Sequence, residues 1–265
     1  MSAKVSGLAT QLRAAGLDWI VPDWAAPKGV HAFFTTRNGG PGGADSLDLG
    51  PGDIGSAPPA TRAAIAGNRG RVQAFLPSPP VWLDQVHGAD VVDVDANATA
   101  ARRLPRADAA VTRARGVVLA VRVADCLPVL LCDRAGTTIG AAHAGWRGVA
   151  AGVIESAVAA MACEPADIAA WLGPAIGPSA FEVGPEVRDA FVATDAAATR
   201  AFVPGRAGKW LADLYALACR RLARAGVEQV SGVRACTFSD ARRFFSYRRD
   251  GATGRMGAFI WRTAA

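Results

Sequence analysis

Residues 117–162, VVLAVRVADCLPVLLCDRAGTTIGAAHAGWRGVAAGVIESAVAAMA, change hydrophobic period once, and that change settles that sheet and helix share one chain. VVLAVRV, LPVLLCD and TTIGAAHAG are short apolar or β-branched runs, the last two separated only by Arg-Ala-Gly, and they read as strands. Strands joined head to tail by tight turns imply that at least part of the sheet is antiparallel. From Arg147 the spacing turns helical. Val149, Val153, Ala157 and Met161 recur every four residues with Val158 beside them, which predicts a helix over 147–162 starting just after His143.

Toward the N-terminus, a short helix is followed by VHAFFTTRNGG (30–40), a strand entering a glycine-rich turn. The glycine- and proline-rich stretch 39–59 looks like a linker, but ATRAAIAGNRGRVQAFL (60–76) carries Ile65, Val72 and Phe75 at helical spacing, so the stretch reads as a functional loop inside one domain. Further strands are expected at VWLDQVHG (81–88), VVDVD (91–95) and AAVTR (109–113). Toward the C-terminus, PEVRDAFVATDAA (185–197), with Pro185 suited to a first helical turn, and WLADLYALACRRLARAG (210–226), closed by Gly226, read as helices. VSGVRACTF and MGAFIW read as a final strand pair flanking the basic loop FFSYRRDGATGR (244–255). No internal repeat or composition break divides the chain, so a single domain is expected over 1–265.

A chain of 265 residues, 51% hydrophobic, can bury a substantial core. The longest apolar stretch is interrupted by Arg122, Asp125 and Pro128, which argues against a bilayer span, and no signal-peptide pattern opens the sequence. Five cysteines without a CxxC pair fit reduced thiols, and a cytoplasmic location is expected. The net charge of +6 is carried by scattered arginines, with no lysine-rich tail or nucleic-acid-binding signature. Phosphate-bearing metabolites are therefore favoured over nucleic acid as partners, with no membrane and no obligate protein partner.

The chain has only three histidines, and two of them, His87 in DQVHGAD and His143 in AAHAGWRG, sit in glycine-flanked sequences where a strand turns out of a sheet. Cys126, in ADCLP, occupies the same kind of position. Its residue type alone permits a small buried hydrophobe, a nucleophile or a metal ligand. Two imidazoles and a thiolate are a known catalytic zinc set that leaves a position open for water or substrate, although these three are far apart in sequence. Gly145-Trp146-Arg147-Gly148 leads into the predicted helix, whose first N–H groups are unpaired and favour an anion. Arg147 there and Arg37 in the TTRNGG turn are candidate anion clamps. A solvated helix start is the plain alternative for Arg147, and a core position is the plain alternative for Trp146.

FTTRNGG, WLDQVHGADVV, ADAAVT, LAVRVADCLPVLL, IGAAHAGWRG, WLGPAIGPSAFEVGPEV and CTFSDARRFFSYRRDGATGRMGAFIW, in this order, resemble the YfiH-like family, also called the laccase-domain or multi-copper polyphenol oxidoreductase family. The resemblance implies an α+β single domain with a layered mixed β-sandwich core flanked by helices. It implies Zn2+ on His87, Cys126 and His143, and it implies purine nucleoside phosphorylase activity on adenosine, inosine and methylthioadenosine with adenosine deaminase activity. Asp125 or Asp84 would move protons, with a turn or capping role as the plain alternative for each, and Arg37 and Arg147 would hold phosphate. The same family suggests an alternative, a peptidoglycan-editing hydrolase acting on UDP-muramoyl-L-serine, for which Arg248, Arg249 and Arg255 would face a nucleotide-sugar. A non-catalytic zinc-binding module is a further alternative. Copper is the weaker cofactor reading, because multicopper oxidation needs many imidazoles and this chain has three.

Overall fold

The computed structural model describes residues 5–40, 47–55, 57–96 and 104–264. In chain order the elements are α1 (Val5–Ala14), β1 (Val30–Phe34), α2 (Pro59–Gln73), β2 (Pro80–Val81), β3 (Val91–Asp93), β4 (Ala109–Thr112), β5 (Val118–Val123), β6 (Leu127–Asp133) and β7 (Ile139–Ala144). The second half adds α3 (Trp146–Ala151), α4 (Val153–Ala160), β8 (Ile168–Leu172), β9 (Glu182–Val183), α5 (Pro185–Val192), β10 (Phe202–Pro204), β11 (Trp210–Ala212), α6 (Leu214–Arg224), β12 (Gln229–Gly232), α7 (Tyr247–Asp250) and β13 (Met256–Arg262).

The strands form a four-stranded sheet ordered β1-β13-β5-β2, a six-stranded sheet ordered β12-β8-β6-β7-β4-β3 and a small sheet β10-β11-β9. Strand alternation builds the layers. In β6, Leu130 and Cys132 face the four-stranded sheet and pack with Leu119, Val121 and Ile260, whereas Val129 and Leu131 face a helical layer with Ile154, Val158, Leu217 and Leu222. Both faces are buried, which is why LPVLLC is a continuous apolar run. The outer face of the four-stranded sheet, with Phe33, Val118, Ala120 and Phe259, is covered by Leu12 of α1 and Val72 of α2. The result is a mixed α+β domain with two sheets sandwiched between helices, as expected. Among the described residues no helix is long and apolar enough to cross a membrane.

Several expectations needed correction. The hairpin read at Arg-Ala-Gly exists, pairing β6 and β7 antiparallel, but the short turn after β4 carries the chain from the six-stranded to the four-stranded sheet, and the turn Ala124–Cys126 carries it back. The single helix expected over 147–162 is broken at Gly152, whose φ of +97° ends α3 before α4 begins. VWLDQVHG is a strand only at its start, because side chains take over the work of a ladder: the Gln85 amide donates to the Arg122 carbonyl and accepts from the Arg122 N–H, both at 2.9 Å. The C-terminal strands β12 and β13 lie in different sheets, so they do not pair with each other. The start of the helix read at 210–226 is strand β11, and Asp213 caps α6 by accepting from the Ala216 N–H. Of the long loop 39–59, residues 41–46 and 56 lie outside the described residues; Asp48 and Gly50–Gly52 reach the cleft described next.

Candidate active site

The turn that returns the chain from β5 to β6 presents Cys126 at the mouth between the two sheets. Its neighbour Asp125 adopts φ +87°, a left-handed conformation that costs a non-glycine residue about 1–2 kcal/mol. Next to it in space, His143 lies near the end of β7, where it pairs in register with Pro128 two residues beyond Cys126. His87 comes from the loop after β2 and is also left-handed, at φ +62°. The three ligand atoms lie within 4.8 Å of one another, with Cys126 Sγ 3.8 Å from His87 Nε2. The two imidazole rings stand nearly perpendicular with centroids 4.8 Å apart. Tetrahedral coordination with a metal–sulfur bond of about 2.3 Å and a metal–nitrogen bond of about 2.0–2.1 Å places sulfur and nitrogen roughly 3.6 Å apart, so this donor set fits such an ion. Gly145 leaves the room: a Cβ there would stand 3.0 Å from Cys126 Sγ and 3.1 Å from His87 Cδ2.

A residue that the sequence reading missed holds this cluster together. Asp108, fully buried just ahead of β4, accepts from His143 Nδ1 at 2.7 Å and from the backbone N–H groups of Val86, His87 and Gly88 at 3.1, 2.9 and 2.7 Å. One carboxylate thus fixes the ring of one metal-ligand candidate, leaving His143 Nε2 for an ion, and shapes the loop that carries another. The signal was present in ADAAVT, where an aspartate enters a wholly buried strand and must find partners. Burial pushes the Asp108 carboxyl upward, but the bonds from His143, Gly88 and Val86 outweigh it and hold it below the ordinary carboxylate range. Burial likewise raises the Cys126 thiol, yet His143 and His87 beside it bring it down to about 6. His143 is pushed down by burial and up by Cys126 and Asp108, and the latter win, at about 9. Each partner thus favours the charged form of the other.

The cluster opens into a cleft of about 730 Å³. Arg147 lines it, exposed, with its guanidinium 4.5 Å over the Trp146 ring, and Asp84, Arg248 and Arg255 line it as well. Arg37 is not brought there. Its guanidinium lies 4.8 Å over the Phe245 ring and donates to the Ala241 carbonyl. Arg249 is also turned away, donating to the carbonyls of Thr237, Phe238 and Phe244. Asp125 lines the cleft, but its carboxylate accepts from Thr237 Oγ1 at 2.6 Å, Ser246 Oγ at 3.0 Å and Arg248 N–H at 2.7 Å, the surroundings of a buried clamp more than of a proton carrier. The third histidine, His31, sits in β1, stacked on Trp261, far outside this group of ligands.

Residues 31–263 match the family described as multi-copper polyphenol oxidoreductase laccase. A protein of Escherichia coli (strain K12) named purine nucleoside phosphorylase YfiH is 53% identical over 246 residues, which span 91% of this chain and 98% of that protein. A Pseudomonas aeruginosa protein, also named purine nucleoside phosphorylase, is 50% identical over 92% of this chain and 98% of its own length. Among solved structures, a Neisseria meningitidis protein aligns with a TM-score of 0.85 and 47% identity, covering 93% of this chain and all of that one. YlmD from Geobacillus stearothermophilus aligns with a TM-score of 0.79 and 33% identity, covering 90% and 94%. The shared fold, the length of the matches and the cluster of two histidines and a cysteine agree with the resemblance carried by the sequence blocks: the chain belongs to the YfiH-like, multi-copper polyphenol oxidoreductase laccase family.

Proposed function

We propose that this protein is a zinc-dependent purine nucleoside phosphorylase acting on adenosine, inosine and methylthioadenosine, with adenosine deaminase activity at the same site. The observation that carries the reading is the His87–Cys126–His143 cluster opening onto a cleft whose wall includes the exposed Arg147. The names of the relatives support the phosphorylase part. Zinc bound there supplies a fixed positive charge and an open position for polarising a substrate oxygen or activating water.

The chain's own residues supply the rest. In phosphorolysis a phosphate oxygen attacks the anomeric carbon, the glycosidic C–N bond breaks, and the base leaves with its electron pair and takes a proton, giving ribose 1-phosphate from adenosine or inosine and 5-methylthioribose 1-phosphate from methylthioadenosine. Arg147 clamps the incoming dianion by charge-assisted hydrogen bonds, and Asp108 holds His143 in one tautomer throughout. In deamination water adds at C6 and ammonia departs; the proton given up by the water and taken by the leaving amine would pass through Asp84, which lines the cleft wall. Copper oxidation remains the weaker reading, because three histidines cannot furnish a multinuclear cluster. Five free cysteines suit a reducing compartment, so we place the protein in the cytoplasm.

The test is product analysis with adenosine and inosine, with and without phosphate. Free base and ribose 1-phosphate are expected only when phosphate is present; equal base release without it refutes phosphorolysis, and hydrolysis of a UDP-muramoyl-serine with inert purine nucleosides replaces it by the cell-wall reading. Arg147→Ala should raise the KM for phosphate by about tenfold, the equivalent of a charge-assisted contact of roughly 1.5 kcal/mol, while Arg37→Ala leaves it unchanged.

A further inference from the structure

The turn Ser246–Asp250, from the basic block near the C-terminus, has no part in the metal cluster or the phosphate contact, yet it is heavily fastened to the cleft. Asp125 accepts from both sides of Tyr247, from the Ser246 hydroxyl and the Arg248 N–H. The Ser246 hydroxyl also accepts from the Arg249 N–H, capping α7. Arg248 donates to the Glu182 carbonyl at 2.7 Å and lies 5.5 Å over Phe181. Between these anchors Tyr247 lines the cleft with 62% of its surface exposed.

The other two cleft aromatics, Trp146 and Phe181, each carry a guanidinium on one face. Among the described residues no guanidinium covers Tyr247. An exposed aromatic ring on an immobilised backbone is a preorganised stacking surface, because the ordering cost is met before the ligand arrives. The turn that presents Cys126 also carries Asp125, so one carboxylate fastens the backbone that bears Tyr247 to the segment that bears a metal-ligand candidate.

We propose that Tyr247 is the stacking platform for the planar heteroaromatic base of the substrate, and that Asp125 is the residue that positions it. This rests on the nucleoside reading above and extends it to the base. The experiment is equilibrium dialysis, without turnover, of adenine and of ribose 1-phosphate against the metal-loaded protein. Tyr247→Ala should weaken adenine by about tenfold and leave ribose 1-phosphate within about twofold, while Tyr247→Phe keeps both. Asp125→Asn, or Ser246→Ala should that variant not fold, should weaken adenine with metal content intact. Adding it to Tyr247→Ala should produce no further loss, because the two act as one unit. Unchanged adenine binding in Tyr247→Ala, or equal loss of both probes, overturns the platform, and full additivity overturns the positioning role. If the parent protein binds a uridine nucleotide-sugar and not adenine, the purine reading fails alone, and the platform stands or falls on whether Tyr247→Ala weakens the uracil ligand. Absence of any base binding in the parent removes both.

Discussion

Asp108→Asn changes one atom and reaches the whole site. In the parent, one carboxylate oxygen accepts from His143 Nδ1 and the His87 N–H, and the other from the Val86 and Gly88 N–H groups. Whichever way the amide is turned, two of these four donors meet an NH2 group instead of an oxygen. Hydrogen bonds to a charged group contribute about 1.5–3 kcal/mol each, so the loss is roughly 3–6 kcal/mol, a large share of the stability of a typical domain. A melting temperature lower by roughly 10 °C or more is expected. Because His143 loses its fixed tautomer or the His87 loop loses its shape, chelator competition should show metal affinity lower by about 10–100-fold. The pH dependence gives an independent check. The Asp108 carboxyl is held below its ordinary value, so its contribution is complete above the unfolded value of about 3.9 and is lost as pH falls through the folded one. The stability gap between parent and variant should hold steady from neutral pH down to about 5 and close under stronger acid. A variant that melts within about 2 °C of the parent and binds metal equally well would refute the claim that Asp108 organises the site.

Gly145→Ala tests whether the space beside the cluster matters. Gly145 has an ordinary φ of −66°, so the only cost is the new methyl group at 3.0 Å from Cys126 Sγ and 3.1 Å from His87 Cδ2, and metal affinity should fall by about tenfold in chelator titrations while the fold persists. In metal-stripped protein with Cys236 replaced by serine, alkylation of Cys126 should reach its plateau rate above a midpoint near pH 6. Cys132, which burial pushes to about 12, should stay unmodified; a Cys126 midpoint near the free-thiol value of about 8.5 would mean that His143 and His87 do not stabilise the thiolate. For the same pair, the sign of linkage differs by partner: the thiolate's contribution is complete above the unfolded thiol value of about 8.5 and fades as pH falls through about 6, whereas the imidazolium's is complete below the unfolded value of about 6.5 and fades as pH rises through about 9. The two slopes oppose each other, so the stability of the metal-free protein should change little between about pH 6.5 and 8.5.

Local pattern alone determined much of this molecule. The period change at Arg147 and the continuous apolar run of LPVLLC marked the central strands and the helical region that follows them, because burial and side-chain alternation act over a few neighbouring residues, and the scarcity of histidine singled out His87 and His143, which the fold brings together with Cys126. Which strands share a sheet was beyond that reach. The turns after β4 and β5 look like hairpin turns in sequence, but they cross between sheets, since the choice depends on which distant strand, β7 or β13, is already there to pair. The same holds at the site. Arg37 and Arg147 are equivalent as residue types beside glycine-rich turns, and only packing sends one guanidinium to the Phe245 ring and the other to the cleft. By sequence Asp108 was not singled out and Asp125 was a candidate proton carrier. Tertiary structure made the first a support for two metal-ligand candidates and the second a clamp on the turn that carries Tyr247, because a buried carboxylate must gather its hydrogen-bond donors from whatever segments the fold brings to it.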